Sequence, residues 1–159
     1  MEKNTRDYLR VTRKDSNRIA RLTISRRRPE FTDTFYDNFA LKGTRVDGLE
    51  RGSITCSFIV PRRLTDRNGD LAVGAIANLV DAIGGAMAYE KNAPMKLSVD
   101  MSISYLSTAK LNDELEIRGK LLGEKDGYSG TLVVLKNKST GEIIAEGRHS
   151  LMCILTSKI

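Results

Sequence analysis

The chain has one histidine, His149, and two cysteines, Cys56 and Cys153, in 159 residues. No cysteine pair stands at ligand spacing, so a zinc or other metal site is not expected. Both cysteines fall in expected strands. That reads as core packing in a reducing compartment and not as a disulfide framework. No apolar run approaches the roughly 20 residues of a membrane span. The N-terminus has no apolar stretch of signal-peptide type. Internal repeats and low-complexity tracts are missing too. With 40% hydrophobic and 29% charged residues, the composition fits one soluble globular domain with a real core.

The net charge of +6 is unevenly placed. Residues 1–30 hold ten Lys/Arg against four Asp/Glu, while residues 31–159 balance to zero. The expected organisation is therefore a basic N-terminal extension over 1–30, closing on Arg26-Arg27-Arg28-Pro29, followed by a domain over 31–159. The extension has no aromatic interleaving beyond Tyr8 and no groove-reading motif, so nucleic acid is not an expected partner. Its four acidic residues argue against an organelle transit peptide.

Residues 5–25 fit one amphipathic helix with sparse apolar contacts at Leu9, Ile19 and Leu22, broken by Pro29. A second short helix fits Thr32–Phe39, with Phe31, Phe35 and Phe39 four apart on one face. Gly43 and Gly48 read as turns. Residues 51–60 alternate, with Ile54, Cys56, Phe58 and Val60 on one side, a half-buried strand ended by Pro61. A polar loop over 62–70 carries the Asn68-Gly69 turn. A long apolar helix follows, from Val73 to about Glu90. Four strands are expected after it: 97–106, with Val99, Met101, Ile103 and Tyr105 on one face, then 114–122, 129–136 and 142–155. Asn112-Asp113, Asp126-Gly127 and Thr140-Gly141 supply the turns. Strand, helix, then an antiparallel meander gives an α+β layout.

One carboxylate stands out. Leu71 to Met87 reads LAVGAIANLVDAIGGAM, apolar nearly all round, with Asp81 in the middle. An ionised group buried there costs several kcal/mol (roughly) unless paired or hydrated. Chains that tolerate such a cost often use the group for chemistry. The structural alternative is an Asp that reaches a rim or caps a neighbour. A helix apolar on every side also needs cover beyond the sheet, from the N-terminal helix or from a second subunit.

Three tracts, LAVGAIANLVDAIGGAM, LSVDMSISYLSTAKLNDEL and NKSTGEIIAEGRH, resemble the hotdog-fold acyl-CoA thioesterases. The nearest branch is that of the phenylacetate-pathway and mammalian long-chain enzymes. The likeness spans about residues 45–153. It implies a hotdog fold, an antiparallel sheet wrapped around one long central helix, with the basic helical extension outside it. It implies acyl-CoA hydrolysis to free acid and CoA, with no cofactor. Asp81 matches the family's general base or nucleophile, and Ser98 the hydroxyl that helps hold the attacking water. The Val73 backbone N–H takes the place of the oxyanion donor at the helix start, where unpaired N–H groups and a partial positive charge favour an oxyanion. Asp81 lies eight residues beyond Val73, about 12 Å along a helix. The family joins the two by antiparallel packing of helices in a homodimer, usually as a dimer of dimers. CoA is implied along Ser98, the tract Tyr105, Leu106, Ser107, Thr108, Ala109, Lys110, and the turn Gly123, Glu124, Lys125, Asp126, Gly127, Tyr128. Lys110 and Lys125 are the candidate phosphate partners. His149 matches a family histidine on the last strand.

The resemblance has gaps. The family's His-Gly-Gly at the helix start is Ala72-Val73-Gly74 here. Its Asn-Arg-x-Gly is Asp66-Arg67-Asn68-Gly69, which puts a second carboxylate, Asp66, where an amide is usual. The alternative function is a catalytically weakened hotdog protein that binds acyl-CoA or serves as an assembly partner. Ser157-Lys158-Ile159 resembles the peroxisomal Ser-Lys-Leu address, so the expected location is peroxisomal or cytoplasmic.

Overall fold

A computed structural model describes residues 7, 10–23, 35–89 and 94–153. The chain divides into two compact units, Met1–Phe39 and Ala40–Ile159. In the first, α1 spans Arg13–Ile19, shorter than the helix expected over 5–25. Helix α2, Phe35–Leu41, begins there. The Phe35 and Phe39 rings stack one turn apart, 5.9 Å between centroids. Phe31, the expected third member of that stripe, lies outside the described residues, as does the 30/31 boundary.

The second unit is a six-stranded antiparallel sheet with one long helix on a face. In chain order the elements are β1 (Arg45–Glu50), β2 (Ser53–Ile59), a 3-10 turn (Arg62–Leu64), α3 (Val73–Ala88), β3 (Lys96–Tyr105), β4 (Glu114–Lys125), β5 (Tyr128–Asn137) and β6 (Ile143–Cys153). The strand order is β1-β2-β4-β5-β6-β3. Two expectations are corrected here. The strands after the helix are not a simple meander: β4, β5 and β6 are, but β3 crosses to the far edge and pairs with β6. Strand β1 was expected as turns. Its six residues are all exposed, so it carries no alternation to read. Gly48 sits at the β1 bulge, not in a loop.

Helix α3 packs on the inner face of the sheet. Leu79 and Val80 are fully buried, and Ala75, Ile76, Ile83 and Ala88 nearly so, against Cys56, Phe58, Leu115, Ile117, Val133 and Leu135. Each buried Leu, Ile, Val or Phe side chain among them contributes about 1.5–3 kcal/mol of burial. Two glycines set the distance. A Cβ on Gly147 of β6 would meet Val80 Cγ1 at 2.5 Å, and one on Gly84 of α3 would meet His149 Nδ1 at 2.7 Å. The helix lies close enough that these positions admit no side chain.

The helix is not apolar on every exposed side. Asp81, Val73 and Gly74 face out, and the Asp81 side chain keeps 53% of its surface. The reading of Asp81 as buried in an apolar environment is thus corrected for the single chain. Cys56 is buried and Cys153 half-buried; both are free thiols. No helix among the described residues is long and apolar enough to cross a membrane. Ser157-Lys158-Ile159 lies outside the described residues.

Candidate active site

Ser98 reaches the helix side of the sheet because β3 is bulged. Ser98 pairs with Leu151 and Met101 with His149, and the register shifts between Ser98 and Asp100. The extra residue is Val99. Strict alternation from Met101, Ile103 and Tyr105 would have put Val99 inside and Ser98 outside, since a one-residue slip flips every side chain. The expected Val99-Met101-Ile103-Tyr105 face is therefore corrected: Val99 drops out and Ser98 takes the inward place.

There the Ser98 hydroxyl donates to Asp81 Oδ1 at 3.0 Å. His149 Nε2 lies 2.9 Å from Ser98 Oγ and 3.4 Å from Asp81 Oδ1. The histidine is 1% exposed, and its Nδ1 has no hydrogen-bond partner. Burial lowers its pKa from the ordinary value, and the nearby Asp81 carboxylate offsets this only in part. The ring is thus neutral at pH 7. A buried N–H with no acceptor is a greater loss than an unused lone pair facing apolar surroundings, so the proton belongs on Nε2. The hydrogen bonds then run one way: His149 Nε2–H to Ser98 Oγ, Ser98 O–H to Asp81. Such a chain fixes the serine rotor and leaves the second carboxylate oxygen available to solvent. Sequence matching singled out Asp81 and Ser98. It matched His149 to a family histidine with a structural hydrogen-bonding role favoured over a catalytic one, and its register opposite Thr131 places it on the helix side of the sheet.

Val73 opens α3. Its cap residue, Ala72, makes no side-chain cap bond, so no side chain occupies the first-turn N–H groups. Val73 is 63% exposed. Within one chain Asp66 bonds inside its own loop. Its Oδ1 accepts from the Asn68 and Asp70 N–H groups at 2.8 and 3.0 Å and shapes the loop before the helix. The Lys110 ammonium lies 2.6 Å from Asp70 Oδ1 on a largely exposed side chain.

The residues matched to CoA fall into two sets at opposite ends of the sheet. Lys96 pairs with Cys153 at one end of β3, and Tyr105 with Ala145 at the other. Nine residue steps separate them, about 30 Å of strand. The segment from Tyr105 to Lys110 sits at the helix-start end, where Leu71 N–H donates to Ala109 O at 2.8 Å. There Tyr105, Leu106 and Thr108 are exposed, Ala109 is buried, and Ser107 Oγ donates to Glu142 at 2.6 Å. The Gly123–Tyr128 turn lies at the Ser98 end. Asp126 and Gly127 both have positive φ, as a two-residue hairpin requires. Lys125 is exposed at that tip, and the Tyr128 hydroxyl bonds Ser150 Oγ at 2.6 Å. One chain therefore supplies Val73 with one set and Asp81–Ser98 with the other.

No group of His, Cys, Asp or Glu among the described residues is arranged to hold a metal ion.

The profile of the thioesterase superfamily matches residues 68–124. Acyl-coenzyme A thioesterase 13 of Mus musculus is 38% identical over 117 residues, which is 72% of this chain and 82% of that protein. The zebra fish thioesterase superfamily member 2 structure superposes with a TM-score of 0.70 at 28% identity, covering 79% of this chain and 89% of that one. The Mus musculus member 2 structure gives 0.67 at 31% identity, covering 75% and 88%. One long helix laid on a six-stranded antiparallel sheet is the hotdog arrangement, and the chain belongs to the thioesterase superfamily of thioester hydrolases.

Proposed function

We propose that this protein hydrolyses acyl-CoA thioesters to the free acid and CoA. The observation that carries the reading is the half-exposed Asp81 carboxylate with Ser98 hydrogen-bonded to it, in a chain similar to acyl-coenzyme A thioesterase 13. Asp81 takes a proton from a water held beside Ser98. The resulting hydroxide adds to the thioester carbonyl, the carbonyl electrons move onto oxygen, and their return expels CoA as the thiolate, which takes the proton from Asp81 and restores the carboxylate. The Val73 N–H stabilises that oxyanion, a role worth about 3 kcal/mol.

The working unit is a homodimer. Strand β3 is a ten-residue edge exposed on both faces, with Leu97, Val99 and Tyr105 uncovered. Long apolar edges of this kind are sites of strand pairing. Antiparallel pairing of β3 with a second copy about a twofold axis brings the Tyr105 end of one chain to the Lys96 end of the other. It joins the separated half-sites: Val73 and the 105–110 tract from one copy, Asp81, Ser98 and the 123–128 turn from its partner. Lys125 is then the better candidate for a CoA phosphate, since Lys110 already faces Asp70. A dimer of dimers is the further assembly proposed.

CoA-thiol release from a panel of acyl-CoAs, wild type against Asp81→Asn, tests the reading. Turnover that falls by about 100-fold or more in the variant supports Asp81 as the base. Acyl-CoA binding without turnover on any substrate would favour the second reading, a weakened binding or assembly protein. That reading draws on Ala72 and Val73 replacing the usual His-Gly at the helix start.

A further inference from the structure

One turn past Asp81, α3 carries Gly85, and from there a cleft of about 410 Å³ follows the helix to its C-terminal end. Its volume falls in the roughly 300–1,000 Å³ range of small-molecule sites. Gly85, Ala88, Pro94, Met95 and Leu151 give it mainly apolar walls, and Lys96 is its one cation among the described residues.

Two relations place the cleft beside the Asp81–Ser98 site. Gly85 follows Asp81 at i+4, on the same helix face. Leu151, in the cleft wall, is the register partner of Ser98. Lys96 projects to the same side of β3 as Ser98, two residues away, and its side chain is only 13% exposed. Its ammonium donates to Glu124 and, at 2.7 Å, to Ser129 Oγ, which itself donates to Glu124 at 2.6 Å. Ser129 is fully buried. The lysine and serine hold the Glu124 carboxyl below its usual range. Ser98, Leu151, Ser129 and Glu124 are successive register partners across four strands. Ser129 is thus two strands from Ser98, about 10 Å.

We propose that this cleft takes the acyl group of the substrate and that Lys96 selects chains carrying a neutral oxygen, a hydroxyl or ketone, at their far end. The proposal rests on the thioesterase reading above. An ammonium has three N–H donors. Glu124 and Ser129 engage two, and the proposal assigns the third to a ligand in the cleft. The charge of Lys96 is already balanced by Glu124, so the pair offers a phosphate or carboxylate no net attraction to offset the cost of shedding its water. A neutral acceptor avoids most of that cost. An extended alkyl chain advances about 1.3 Å per bond, so a span of about 10 Å corresponds to roughly eight bonds beyond the thioester carbonyl.

The test compares matched acyl-CoAs of increasing chain length, unsubstituted, ω-hydroxy and ω-carboxy, by CoA-thiol release. At one chain length the ω-hydroxy substrate should exceed its parent in kcat/KM by about tenfold, the size of a hydrogen bond to a charged donor. Lys96→Met should bring that ratio close to one. Glu124→Gln keeps the lysine but removes its counter-charge, and should shift the preference to the ω-carboxy chain. That variant protects the test if Lys96→Met fails to fold. Inhibition by free CoA should be the same in Lys96→Met as in wild type. Turnover with no ω-hydroxy preference at any length overturns the proposal and leaves the thioesterase reading standing, as does weaker CoA inhibition in Lys96→Met. No turnover on any acyl-CoA overturns both.

Discussion

His149 has little freedom in how it behaves. It is buried, it lacks a partner for Nδ1, and it touches the two groups that meet at the site. Its lowered pKa has a consequence for stability. Between the folded value and about 6.5, the unfolded chain binds the proton and the native chain does not, so stability rises with pH across that window. Denaturant unfolding of wild type should therefore show stability lost as pH falls below about 6.5 and levelling off once the folded-state value is passed. His149→Gln should remove that component. It should also lower kcat by roughly 10- to 100-fold, because the serine rotor loses its fixed donor. A variant with unchanged kcat would sink the positioning role. Gly84→Ala approaches the same ring from the helix. Its Cβ would come within 2.7 Å of His149 Nδ1 and 2.8 Å of Thr131 Oγ1, so the ring or the helix must move. The expected cost is about 1–3 kcal/mol, read as a lower unfolding midpoint, together with reduced turnover.

Among the secondary elements, legibility in the sequence tracked burial. Strand β2 was readable because Ile54, Cys56 and Phe58 face the core at period two, and helix α3 because its apolar content is dense over 16 residues. Strand β1 was not, since a fully exposed edge leaves no apolar period. The placement of β3 was hidden for another reason: alternation says that a segment is a strand, but not which neighbour it takes. The Val99 bulge was hidden because a single extra residue leaves the composition untouched while reversing the facing of everything before it. Of the site, the types of the candidate groups were visible, but the bulge that aims Ser98 was not. At this scale the helix–sheet contact governs stability. Leu79→Ala, at a fully buried position, should cost about 2–5 kcal/mol in a denaturant titration. A cost below about 1 kcal/mol would mean that the α3 packing described above is wrong.

For the whole molecule, the separation of Val73 from Asp81 within a chain makes a sharp test of shared sites. Val73→Pro removes the N–H at the first helical position, where proline is tolerated. Alone, it and Asp81→Asn should each be nearly inactive. In a mixed dimer of the two variants one site carries both defects and the other carries neither. Equal mixing after dissociation should restore about a quarter of wild-type activity, since half of the dimers are mixed and each has one intact site. No recovery would place both groups in sites built from one chain.

The uncovered β3 edge has one more consequence. If the half-sites meet only when two edges pair, catalytic competence obeys mass action. Diluting the protein should lower turnover per chain as well as total turnover, and unfolding midpoints should climb with protein concentration in step with it. Abundance itself then sets how hard each molecule works, and a cell making half as much of this chain would lose more than half of its hydrolysis.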